Sequence, residues 1–195
     1  MTSSGVQHID NLIGKPVLSL ETANKLGNVH DLVIDPLRGE LAGLSVQTLD
    51  QSQVLVNHRE IHSIGPDAVM LESEQSLVSV HPSSIQTFPL AKNNLTGVKV
   101  ITEDGQLLGE IANIYIHLAE TSILIYEVRS SIVDKLLGHA LYFPASSVCA
   151  FSEDATRLII SGDVEKADRT LEAVATRLFE RTDSEAPEII IRSRT

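Results

Sequence analysis

Three stretches of the chain bring together residue types that could do chemistry. His58-Arg59-Glu60-Ile61-His62 sets two imidazoles four residues apart, a spacing at which one helix face could ligate a metal. The zinc-protease pattern, however, needs Glu directly after the first His and a long helix. Val54 to Val56 on one side and Gly65-Pro66 on the other leave no room for one. Asp31, Asp35 and Glu40 could crowd around a cation if a hairpin folds them together, yet Asp before Pro-x-x-Gly is ordinary turn chemistry. Gly43-Leu44-Ser45-Val46-Gln47 lacks the second glycine of a nucleophile elbow and sits in an apolar run with no helix after it. Gly27 and Gly109 each stand alone between strands, so neither a Walker-type nor a dinucleotide fingerprint exists. Surface and turn positions account for the scattered histidines. The single cysteine, Cys149 in Val148-Cys149-Ala150-Phe151, reads as a buried core residue. The expectation is a protein without enzymatic activity, cofactor or metal.

The elements that must position these residues are short and β-prone. Of 195 residues, 43% are apolar and 21% charged, the composition of a globular chain able to bury a core. The length suits two domains of roughly 70 to 90 residues. No stretch approaches the roughly 20 uninterrupted apolar residues of a membrane helix, and Met1-Thr2-Ser3-Ser4 does not open a signal sequence. A cytoplasmic protein that does not insert into membranes is expected. The net charge of −11 is spread evenly: five Lys/Arg face ten Asp/Glu over residues 1–92, four face eight over 93–161, and six face eight over 162–195. A nucleic-acid binder needs a basic face to release counterions, and no segment supplies one. The same field repels anionic lipid. A protein partner, basic or reached through apolar contacts, fits better.

An internal repeat organises the chain. Leu12-Ile13-Gly14-Lys15-Pro16-Val17 corresponds to Leu95-Thr96-Gly97-Val98-Lys99-Val100, and Leu26-Gly27-Asn28-Val29-His30-Asp31 to Leu108-Gly109-Glu110-Ile111-Ala112-Asn113. Each repeat opens with a strand, a tight turn and a second strand. In repeat two Asp104-Gly105 predicts a type I′ turn with positive φ at both residues. Val29 and Leu32 to Ile34 then run into the turn at Asp35 to Gly39, with Leu41 to Val46 beyond it. Ile111, Ile114 to Ile116, and Ile123 to Val128 answer them, making two further strands per repeat. A fourth apolar run (Val54 to Val56; Leu141 to Phe143) and a last strand (Ala68 to Leu71; Arg157 to Ile160) close each unit. Four to six short strands at this spacing predict a small antiparallel sheet that must curl to cover its edges.

These residues resemble the PRC-barrel family, the β-barrel of the photosynthetic reaction-centre H subunit. The resemblance rests on Ile13-Gly14-Lys15-Pro16-Val17, on Lys25-Leu26-Gly27-Asn28-Val29-His30-Asp31-Leu32-Val33-Ile34-Asp35, and on Gly39-Glu40-Leu41. It recurs in repeat two, and covers Leu12 to about Leu71 and Leu95 to about Ile160. It implies an all-β fold of two tandem barrels, the first in residues 1–92 and the second in 93–162; residues 163–195, beyond the resemblance, read as a C-terminal amphipathic helix and a short tail. It also implies a non-catalytic binding module, an adaptor or assembly factor placed peripherally at a photosynthetic or other membrane complex through a partner. The alternative it implies is a RimM-like ribosome maturation factor that binds a basic ribosomal protein, although here the N-terminal half is another PRC-like repeat.

Two segments are candidates for partner contact. Val164, Ala167, Leu171, Val174 and Leu178 fall at spacings of 3, 4, 3 and 4, predicting one amphipathic helix of about five turns from Asp163. Its stripe, with Leu171, Val174 and Leu178, could pack on the second barrel, pair two copies into a homodimer, or enter a partner's groove. The loop from Arg129 to His139 is longer than its counterpart at Gln47 to Gln53. It mixes Ile132, Val133, Leu136 and Leu137 with the basic Lys135, which suits either a contact surface or a cap on the barrel end. Phe88-Pro89-Leu90, apolar within a polar connection, predicts that the linker is docked.

Overall fold

The computed structural model describes residues 6–77, 88–117, 123–130, 140–161 and 170–176. A short strand β1 (Val6–His8) is followed by six strands of the first repeat: β2 (Pro16–Ser19), β3 (Lys25–Asp35), β4 (Glu40–Thr48), β5 (Gln53–Asn57), β6 (Ile61–Ile64) and β7 (Val69–Leu71). The second repeat supplies β8 (Lys99–Thr102), β9 (Leu107–His117), β10 (Ile123–Arg129), β11 (Leu141–Pro144), β12 (Val148–Phe151) and β13 (Arg157–Ile160). The order β5-β4-β3-β2-β7-β6 in one sheet is reproduced as β11-β10-β9-β8-β13-β12 in the other. Even the irregularities recur. β2 and β8 shift register against their hairpin partners at Val17/Leu18 and Val100/Ile101, and β6 and β12 do so at Ile61/Ser63 and Val148/Ala150. The molecule is two small barrels built to one plan.

The repeat in sequence is a repeat in core chemistry. Val29, Leu32, Ile34, Val46 and Val56 point inward in the first barrel, as Ile111, Ile114, Ile116, Val128 and Phe143 do in the second, and all are buried. One continuous apolar cluster contains both sets. The recurring Leu-Gly step also has a reason. A Cβ on Gly27 would lie 2.2 Å from the Gln47 carbonyl oxygen, and one on Gly109 would lie 2.2 Å from that of Arg129. Only glycine lets these strand pairs approach where they twist.

The segments ahead of the barrels cross over. β1 precedes the first barrel but pairs with β9 of the second, setting His8 opposite Tyr115. Leu90, 82 residues further on, bridges Val33 of the first barrel, which lies 82 residues before Tyr115. The Ile34 amide donates to the Pro89 carbonyl at 3.0 Å. Each arm thus adds to the opposite sheet, and the linker at residues 88–90 is docked as its sequence predicts. After each arm comes a tight turn, 3-10 at Ile9–Asn11 and π at Ala91–Leu95. The extra residue in the π turn is where the repeat offset grows from 82 to 83. The barrels also touch directly. The Leu124 amide donates to the Gly39 carbonyl at 3.4 Å, and a Cβ on Gly39 would lie 2.6 Å from that of Ala145.

Several expectations need correction. The stretch expected to hold two strands, Lys25–Asp35, is one eleven-residue strand, as is Leu107–His117, because bulges absorb the irregular pattern without breaking the ladder. The sheets are not wholly antiparallel: β7 runs parallel to β2, and β13 to β8. The turn at Asp104-Gly105 is not type I′, since Gly105 (φ +87°) has a positive φ and Asp104 does not; in repeat one Ala23 holds that place (φ +59°). Cys149 is exposed, because it falls at the β12 bulge, where the inward-outward alternation slips. Within the C-terminal candidate helix, residues 171–176 are helical. No helix among the described residues is long and apolar enough to cross a membrane.

Candidate functional site

The two barrels differ most on one outer face. β9 presents Asn113, Tyr115 and His117 at alternate positions, and β10 sets Glu127 opposite Asn113. β11 places Tyr142 opposite Glu127, and the β1 arm places His8 opposite Tyr115. Period-two alternation over four adjacent strands therefore collects His8, Asn113, Tyr115, Glu127 and Tyr142 on one surface, with Arg129 two residues beyond Glu127.

Glu127 is the hub. Its side chain is 1% exposed, and it accepts from Asn113 Nδ2 and the Tyr115 hydroxyl on Oε2, each at 2.8 Å. Arg129 donates through Nε and Nη2 to Oε1, both at 2.6 Å. Burial pushes the carboxyl upward, but the bonds from Asn113, Tyr115 and Arg129, with the guanidinium charge, outweigh it and hold Glu127 below its ordinary value. Tyr115 moves the other way: desolvation, then its bond to Glu127, raise the phenol well above the usual tyrosine range. Tyr142 is raised by desolvation and by the Glu127 charge.

The aromatic part of the face is ordered by the same contacts. The His8 ring stands edge-on to Tyr115 at 5.2 Å, and Tyr115 is tilted against Tyr142 at 6.3 Å. His8 Nδ1 accepts from the Asp10 amide at 3.0 Å, which leaves Nε2–H to donate to Asn113 Oδ1, also at 3.0 Å. The carboxylate and guanidinium neutralise one another, and every Glu127 oxygen is engaged. What the face offers a ligand is fixed ring edges, a half-exposed guanidinium and an imidazole. Ring edges and a guanidinium make directional contacts to planar and anionic groups.

In the first barrel the equivalent positions are Leu90, Asp31, Val33, Ser45, Leu55 and Gln47. Asp31 is fully buried and accepts from the Leu32 amide (2.7 Å), the Lys92 amide (3.1 Å) and, on Oδ2, the Asn93 amide (3.2 Å). Asp35 accepts from the Leu37 and Arg38 amides at 3.0 and 3.1 Å. These carboxylates do the turn and capping work that the sequence suggests. His58 lies in a 3-10 turn and His62 on β6, so the pair shares no helix face, and His62 Nδ1 is bonded to Glu72 Oε1 at 3.0 Å.

Of the sequence-derived contact residues, Ile132, Val133, Lys135, Leu136, Leu137 and Leu178 lie outside the described residues. Val174 is fully buried within the single chain, and Leu171 is half-buried. The face around Glu127 was missed. Its signal is the alternation in Asn113-Ile114-Tyr115-Ile116-His117, where polar side chains recur at every second position of an otherwise β-branched strand.

Residues 5–78 match the model of the PRC-barrel domain. Among solved structures the chain is similar to RimM of Pseudomonas aeruginosa, described as a 16S ribosomal RNA processing protein. The identity is 15%, over 82% of this chain and 99% of that one, with a TM-score of 0.34. No curated protein matches the chain. Residues 5–78 form a domain of the PRC-barrel family, and the second sheet repeats its strand order.

Proposed function

We propose that this is a non-catalytic protein-binding module, an adaptor or assembly factor, whose partner is recognised on the outer face of the second barrel. One observation carries the reading. The inward residues of the two barrels stay apolar and mostly aliphatic, with Tyr126 and Phe143 replacing Leu44 and Val56, while Leu90, Val33, Ser45, Leu55 and Gln47 on the first outer face give way to the polar and charged set His8, Tyr115, Glu127, Tyr142 and Arg129 on the second. Packing alone does not require that difference. Tyrosine and arginine are the residue types that carry binding energy at protein interfaces, and here they are held in place before a partner arrives.

The test is comparative capture from native cells with the full chain and with the double variant Tyr142→Ala, Arg129→Ala. A defined set of proteins retained by the native chain and lost by a variant of near-native melting temperature supports the reading. Ribosomal proteins in that set would name a maturation role, and subunits of a membrane complex an assembly role. Capture that the variant leaves unchanged overturns it.

A further inference from the structure

A cavity of about 260 Å³ lies between the barrels, away from the face described above. Its floor is apolar and comes from both halves: Leu41 of β4 and Ile116 of β9, each buried. Half-buried Ile61 and Ile64 of β6 form its wall. His58, His62 and Ser63, all exposed, stand at its mouth.

The internal symmetry of the molecule shows that this composition is particular to one half. The turn after β5 begins at His58, and the turn after β11 begins at Ala145. The bulges in β6 and β12 match His62 with Cys149 and Ser63 with Ala150. Three hydrogen-bonding groups in the first barrel therefore replace two alanines and a cysteine in the second. The space differs as well. At Ala145 the Gly39 hairpin is seated so closely that a Cβ would meet it at 2.6 Å, whereas beside His58 the cavity stays open.

We propose that this cavity binds a small carboxylate with an apolar body. At interior packing density, 260 Å³ accommodates a ligand of ~10 non-hydrogen atoms. Apolar floors with a few placed polar groups at a junction between domains are the usual form of a ligand site. The head group follows from the mouth. His62 Nδ1 is engaged by Glu72 Oε1 at 3.0 Å, which orients the ring and leaves Nε2 for a ligand. Below the ordinary pKa of histidine the ring is an imidazolium, and with Nδ1–H directed at Glu72 its Nε2–H points away from that carboxylate and can donate to an anionic oxygen. His58 supplies a second donor and Ser63 a hydroxyl. The titratable groups at the mouth are thus His58, His62 and, behind His62, Glu72.

Octanoate, with ten non-hydrogen atoms, is the probe. It is titrated into the full chain at about pH 6, where histidine is largely protonated, while the isoleucine methyl signals are followed by NMR. Saturable shifts at Ile61, Ile64 and Ile116, with Ile101 and Ile159 on the outer face unmoved, are expected. The variant His58→Ala, His62→Ala changes only exposed side chains, and a melting temperature near that of the native chain checks that the fold is kept. It should weaken binding by about tenfold or more, the worth of a hydrogen bond to a charged group. 1-Octanol, equal in body and lacking the charge, should bind correspondingly less tightly. Absent or non-saturable shifts, or shifts the double variant leaves intact, overturn the site. Octanol binding as tightly as octanoate overturns the carboxylate assignment.

Discussion

Asp31 and Asn113 hold the same position in the two barrels, on β3 and β9, and each grips the arm that leads into the other barrel. Asp31 caps the Lys92 and Asn93 amides ahead of the second barrel, and Asn113 accepts from His8 ahead of the first. The two arms also touch, since Lys92 Nζ donates to Asp10 Oδ1 at 3.1 Å and the Asp10 amide donates to His8. A hydrogen-bonded path therefore runs from Asp31 through Lys92, Asp10, His8 and Asn113 to Glu127. The exposed Lys92–Asp10 pair adds little stability by itself. The buried ends of the path supply most of it.

Replacing Asp31 with Ala should cost about 2–3 kcal/mol, because it leaves the Lys92 and Asn93 amides without their acceptor. Asp31→Asn, which keeps one acceptor oxygen, should recover part of that loss. Urea unfolding measures the cost, and faster hydrogen exchange at Lys92 and Asn93 locates it. Native-like exchange at both amides in the alanine variant would show that the cap is not what orders the linker.

Glu127 should make stability depend on pH. Its carboxyl is held below the ordinary 4.5, so its contribution is complete above about that pH and fades as the pH falls through the lowered native value. Glu127→Gln should cost about 1.5–3 kcal/mol at pH 7 through its charge-assisted bonds. The gap between the two proteins should then narrow as the pH drops below 4.5. A gap that stays constant from pH 7 to pH 3 would contradict the assignment.

Tyr126 is the buried counterpart of Leu44, and its hydroxyl has no hydrogen-bond partner among the described residues. Desolvation, and secondarily the Asp35 charge, push the phenol well above the usual tyrosine range. Tyr126→Phe removes an unsatisfied buried oxygen and should leave stability unchanged or raise it by up to about 1 kcal/mol. A loss above about 1 kcal/mol in thermal unfolding would mean that a bound water or an alternative rotamer satisfies the hydroxyl.

Gly39 combines a positive φ of +70° with the close approach to Ala145. Gly39→Ala should destabilise by about 1–3 kcal/mol through backbone strain and overpacking. The double variant Gly39→Ala, Ala145→Gly should regain the packing part but not the strain part. A double-mutant cycle with no coupling would rule out this contact as a junction between the barrels.

The residue pattern alone determined the repeated barrel. Leu-Gly-x-Val/Ile recurs because the same hairpin needs a glycine at the same close approach, and Val29/Ile111 and Ile34/Ile116 recur because the same interior must be filled. Both requirements are local and periodic, so they are written along the chain. The turn duties of Asp35, and the docking of residues 88–90, were legible for the same reason. What only the tertiary structure decided depends on partners far apart in sequence. That β1 completes the opposite barrel follows from a pairing of His8 with Tyr115, 107 residues away, which no local pattern encodes. The face around Glu127 exists because four strands from three stretches of chain lie side by side, each contributing one to three polar side chains that look unremarkable in their own segments. Cys149 went astray because one bulge reverses the inward-outward alternation without leaving a mark on composition.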